Sequence, residues 1–359
     1  TPLHLHPAHR LLGPQHLQHL IMATTFTVPD GRVAMNAVLR NGFGTSGGSI
    51  TSLNFQPDFI WEKSRNLVDN HVAVDSVRGV TKYLAQNTTA AEGTNANYFT
   101  SFNSNGYTLG SADYGTSTTL VDWCWKAGGT AVSNTSGTIT SSVSANTTAG
   151  FSVVTFTTPN LAAGATVGHG LGVAPSWVVV KGRNLVSSWQ VYHVSLGATQ
   201  RMLLNTTAAA TTDSGPWNNT APTSTVITLG GSFLPDTSSF TYVAYCWAPV
   251  AGYSAFGSYT GNGSADGPFI YTGFRPRWIM LKRTDATLSW GIFDTSRNAS
   301  NVVDLQLYAN LSVADNTFTT MDILSNGFKS RSATEYNTSG GTYIYAAFAE
   351  NPLKYANAR

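Results

Sequence analysis

Asp75 and Arg78, and again Asp294 and Arg297, share one Asp-x-x-Arg spacing, with His193 and Leu196 at the corresponding place between them. Two carboxylates could divide acid and base work in glycoside cleavage, which needs such groups within roughly 5 to 10 Å of each other. Placed once per repeat they should lie too far apart, so the preferred reading is a turn in which Arg holds Asp by charge-assisted hydrogen bonds. His193 and Ser195 offer a base and a hydroxyl, yet no strand-turn-helix elbow is expected to expose that serine as a nucleophile. No catalytic residue is therefore assigned.

Binding chemistry has one candidate. Trp217 in "SGPWNNTAP" lies in a polar loop, where a flat indole beside the amides of Asn218 and Asn219 could stack on a sugar and satisfy its hydroxyls. The competing reading folds that loop onto its own sandwich, since large rings are usually buried. "GHGLG" from Gly168 and "GNGSADG" from Gly261 precede strands rather than helices, so neither builds a helix N-terminus for phosphate. No metal site is expected, because the imidazoles of the His-rich start have neither Cys nor carboxylate beside them.

The elements that must position these residues are repeated. "FQPDFIWEKSR" from Phe55, "VAPSWVVVKGR" from Val173 and "FRPRWIMLKR" from Phe274 each place Lys six residues after Pro57, Pro175 and Pro276. Short aromatic and β-branched runs after Pro predict strands. Lys63, Lys181 and Lys282 should carry their charges out to solvent or to a carboxylate. Each copy closes on an apolar run, "LVDWCW", "YVAYCW" or "YIYAAF", which puts Cys124 and Cys246 at equivalent core positions and argues against a disulfide between them.

Gly, Ser, Thr and Asn are abundant and charged residues are only 11% of the 359 residues, which suits strands joined by polar turns. The expected fold is all-β: three tandem concanavalin-like or jelly-roll sandwiches, each with its own core, over residues 35–147, 148–250 and 251–359. Residues 1–34 are expected to form an arm or attachment segment. The Gly/Ser/Thr-rich link from Lys126 leaves room for movement between the first two sandwiches. A formal charge of +2 without basic runs gives no footprint for nucleic acid, and no apolar stretch approaches a bilayer span, so neither nucleic-acid binding nor membrane insertion is expected.

"DSVRGVTKYLAQNTTAAE", "SNGYTLGS", "VDWCWKAGG" and "SYTGNGSADGPFIYTGFRP" resemble the repeated sandwich domains of tailed-bacteriophage structural proteins, particularly of phages of marine and freshwater bacteria. The resemblance runs from about residue 35 to the C-terminus. It implies a virion protein without cofactor, assembled in the host cytoplasm, of the tail fibre, spike or appendage type. A capsid decoration or collar protein is the alternative, and a polysaccharide depolymerase ranks last. It implies a homo-oligomer, trimeric by analogy, and no particular ligand; other virion proteins are expected as partners through the N-terminal arm, which departs from the family pattern, and a host-surface glycan is the candidate ligand.

Overall fold

Each Pro-headed phrase is too short for a helix and rich in residues that pack well on a pleated surface. In the computed structural model, which describes residues 27–158, 162–233 and 239–350, these phrases form the strands Phe59–Ser64, Trp177–Gly182 and Pro276–Arg283. Each lies between its copy's last strand (Thr119–Trp125, Phe240–Trp247, Thr342–Ala349) and the strand that follows it (Val72–Asp75, Gln190–His193, Gly291–Asp294). The copy's first strand (Met35–Asn41, Phe151–Thr158, Ser254–Thr260) flanks the last on its other side. All these pairs are antiparallel, and the chain is an all-β protein of sandwich type.

Register aligns the copies residue by residue. Phe59 pairs with Trp125, Trp177 with Trp247, and Trp278 with Phe348. Because alternate residues face opposite ways, Ile60 and Cys124 point into the first sandwich while Phe59, Trp61, Trp123 and Trp125 point out of it. In the second copy, Val178, Ala244 and Cys246 face inward and Trp177, Tyr245 and Trp247 outward.

The outward faces are not exposed to water. Phe59, Trp125, Trp177, Trp247, Trp278 and Phe348 meet in one cluster, with Trp125 ring centroids 6.1 Å from Trp247, 5.4 Å from Trp278 and 5.7 Å from Phe348. A ring of this size buries about 150–250 Å², roughly 4 to 6 kcal/mol of gross apolar stabilisation before ordering entropy. The first two copies keep cores of their own, but the expectation of independent beads is corrected, because this cluster joins the outward faces of all three. Strands that are apolar on both faces need cover on both, and the neighbouring copies supply it.

The copies also lock head to tail. Fourteen positions after each Pro stand His71, Trp189 and Trp290. Trp189 Nε1 donates to Ala85 O of the first copy and Trp290 Nε1 to Leu203 O of the second, each at 3.0 Å. His71 Nε2 closes the ring, lying 2.9 Å from Tyr308 O of the third copy. Lys181 and Lys282 are buried, donating to Thr89 O and Thr207 O of the preceding copy, while Lys63 is held by Ser64 O and Leu67 O. Their expected snorkelling to solvent is corrected: the backbone carbonyls at the junctions take the charge, and burial pulls each ammonium down to about 8.

The link after Lys126 is strand, not loose tether. Val132–Asn134 and Ser141–Asn146, assigned from sequence to the first sandwich, pair in order onto Phe151–Thr158 and extend the second copy's sheet. Of the N-terminal arm, the His-rich start lies outside the described residues; Asp30 caps the turn Gly31–Val33. There Gly31 approaches the Ala349 backbone so closely that a Cβ would sit 2.1 Å from its carbonyl oxygen.

Candidate ligand-binding site

The Asp-x-x-Arg pairs do more than hold turns. Arg78 Nε donates to Asp75 Oδ2 at 2.5 Å while the Arg78 amide caps Oδ1 at 2.8 Å, and Tyr245 of the second copy adds its hydroxyl to Oδ2 at 2.8 Å. Arg78 also reaches Glu92, which Arg183 of the second copy holds from the other side. The third copy repeats the design against the first: Arg297 on Asp294 at 2.6 Å, and Asp315 shared by Arg297 and Arg65. These are clamps between copies. Asp75 and Asp294 are wholly buried, so neither faces a substrate.

His193 serves the remaining junction without charge. Its Nε2 lies 3.0 Å from Tyr345 O, and its Nδ1 accepts from the Ser195 amide, which takes up the lone pair a triad would need. Burial pulls the imidazole down to about 4. Cys124 and Cys246 are free and buried in different copies, and burial pushes the Cys246 thiol up to about 12.

Trp217 is not a stacking platform. It is 1% exposed, with its ring against Tyr192 and Phe233 inside the second sandwich. Asn218 and Asn219 adopt φ of 49° and 51°, the left-handed region that asparagine tolerates best among residues with a side chain, and so turn the loop inward. The expected stacking of a sugar on Trp217 is corrected on that ground, while Asn218 is half-buried and Asn219 exposed. All nine tryptophans of the chain are buried.

What the sequence reading missed lies inside the first sandwich. Glu62 and Asp122 are cross-strand partners there, where the second copy pairs Val180 with Ala244 and the third Leu281 with Tyr345. Arg40, opposite Leu120, takes the place of Phe156 and Tyr259. Arg40 Nε donates to Asp122 at 2.6 Å and Nη1 to Asp113 at 2.9 Å, while Nη2 meets Glu62. The hydroxyls of Tyr98 and Tyr107 donate to Glu62 and Asp122. Burial raises the Glu62 carboxyl to about 8 against the pull of Arg40. The guanidinium is held above its ordinary value: burial lowers it, but Asp122 and Glu62 together outweigh that.

Above this cluster opens a cleft of about 340 Å³, lined by Tyr83, Tyr98, Tyr114, Asp69, Asp113 and Asn95 among others. Tyr114 donates to Asp69 at 2.5 Å, and the Phe43 amide to Asp113 at 2.7 Å. A related cleft of about 520 Å³ in the third copy has Leu288 where the first has Asp69, each twelve residues after its Pro. Carboxylate acceptors, an amide and ring faces suit a small, polar, hydroxyl-rich ligand. Among the described residues no group of His, Cys, Asp and Glu converges as a metal site.

Fold and site together define an all-β protein of interlocked antiparallel sandwiches with clefts in the first and third, the first set above a buried charge cluster. The chain belongs to the family described as a domain of unknown function (DUF7483), whose model matches residues 32–352 and so spans all three copies. No curated protein and no solved structure matches it.

Proposed function

We propose that this chain is a structural protein of a tailed-bacteriophage virion, carried as a tail fibre, spike or similar appendage and contributing to recognition of the host surface. The resemblance of its repeated phrases to such proteins supports the virion placement, and interlocked copies suit a rigid spacer. The observation that carries recognition is the exchange of apolar core residues for Arg40, Glu62 and Asp122 beneath a cleft in one copy alone. Buried ion clusters are often no more stabilising than apolar side chains of similar size. A copy that keeps one departs from the rule its siblings obey, as functional sites do.

In this reading the protein binds a host-surface glycan in the cleft and does not catalyse. It needs no cofactor, forms homo-oligomers and meets other virion proteins through its N-terminal segment. A density map of the particle, with purified protein as competitor for phage adsorption, tests it. Density projecting from the tail and slowed adsorption are the expected results. Density coating the head without competition would make it a capsid decoration or collar protein, and release of reducing ends from host polysaccharide would make it a depolymerase.

A further inference from the structure

The cleft of the first sandwich is acidic and aromatic, with no cation among its lining residues. Four carboxyl groups, Glu62, Asp69, Asp113 and Asp122, are met by two cations: Arg40, bonded to three of them, and Lys63, whose field reaches Asp69. Both cations are buried, and neither lines the cleft. Asp122 Oδ1 has no donor, but Asp122 is buried beneath the cleft and does not line it. The lining includes Asp69, three tyrosines and one asparagine, together with Asp113, whose carboxylate is turned to Arg40 and the Phe43 amide, and it has no Lys, Arg or His.

We propose that this cleft selects a saccharide carrying a free ammonium group, an amino sugar whose nitrogen is not acetylated. An ammonium brings the positive charge that the lining lacks, and charge-assisted hydrogen bonds of this kind are about twice as strong as neutral ones. Tyrosine faces attract both a cation and the apolar face of a pyranose ring. Tyr83, 36% exposed at the mouth, is the ring most open to an incoming sugar. Asn95 can serve a hydroxyl as donor or acceptor. The third copy's cleft has Leu288 in place of Asp69 and one tyrosine in place of three, but it carries Asp315 and Glu335 and is a second acidic lining of the same kind.

The inference rests on reading the cleft as a recognition site, not on the chain's place in a particle. Its test is titration of the full chain with glucosamine, N-acetylglucosamine and glucose, followed by calorimetry or by NMR. Glucosamine should saturate the site and bind at least about tenfold more tightly than the two neutral sugars, with the advantage shrinking in high salt. Tyr83→Ala and Asp69→Asn, both at partly exposed positions, should each weaken glucosamine about tenfold while circular dichroism stays unchanged. Equal binding of all three sugars would overturn the ammonium preference and leave recognition standing. Saturation by none of them, or glucosamine binding untouched by both variants, would overturn the site itself.

Discussion

Trp123 donates its indole N–H to Asp294 Oδ2 at 3.0 Å, tying the last strand of the first copy to the turn of the third. The same carboxylate holds Arg297, and both side chains are fully buried. Asp294→Ala would leave that guanidinium with only Asp315 for a counter-charge, and breaking a buried pair costs about 3–5 kcal/mol. His193→Ala, at the junction where Leu196 replaces the arginine, should cost less, about 1–3 kcal/mol. Urea unfolding of both variants checks the order, and the reverse order would contradict the clamp.

The shared aromatic cluster predicts cooperative unfolding. Trp125 touches rings of all three copies, so Trp125→Ala should destabilise the whole protein by about 3–5 kcal/mol and shift one calorimetric transition downward. Separate transitions, with only the first copy affected, would show that the copies unfold independently.

His193 sets an acid limit. Its folded pKa is lowered to about 4, so the unfolded chain takes up the proton first as pH falls below the ordinary value near 6.5. The stabilisation is therefore whole above pH 6.5 and is lost as pH falls through about 4, on the order of 3 kcal/mol. His193→Gln should flatten the stability profile between pH 6.5 and 4 relative to the parent. An unchanged slope would mean that the ring is not buried neutral.

Glu62 acts with the opposite sign. Its folded value is raised to about 8, so its contribution is present below the ordinary carboxyl range and is lost as pH rises through 8. Glu62→Gln should be close to neutral at about pH 4 and increasingly more stable than the parent as pH rises to about 9, judged by thermal melts. Arg40→Met, which strips three carboxyl groups of their shared cation, should lose about 3–5 kcal/mol at pH 7. A harmless Arg40→Met would refute the account of the cluster.

Much of the scaffold could be read directly. Pro276 is its strand's first residue, where Pro is tolerated, Pro57 and Pro175 stand two residues ahead of theirs, and the apolar runs behind all three suit a pleated surface. The pairing of Asp75 with Arg78 was also within reach, since its partners lie three residues apart. Their bonds to Tyr245 and Glu92 were not, because local spacing says nothing about what a neighbouring copy brings.

Glu62 and Asp122 left a signal that went unused. Once the copies are aligned, each stands where its siblings carry Val180 and Ala244 or Leu281 and Tyr345. Arg40 left less, lying on a strand without a quoted counterpart phrase. Trp217 misled because its Gly, Pro and Asn neighbours mark a loop, and whether a loop tips its indole inward depends on a hole that only the folded sandwich defines.

The head-to-tail closure fixes the arithmetic of the chain. Every copy offers one donor backward and one acceptor forward, and the circuit is complete only at a count of three. A gene losing one copy would leave an indole-rich wall facing water; a gene gaining one would have nowhere to seat it. A solitary copy with the same faces would be driven to gather two siblings, so this polypeptide has the organisation of a trimer written out in a single reading frame.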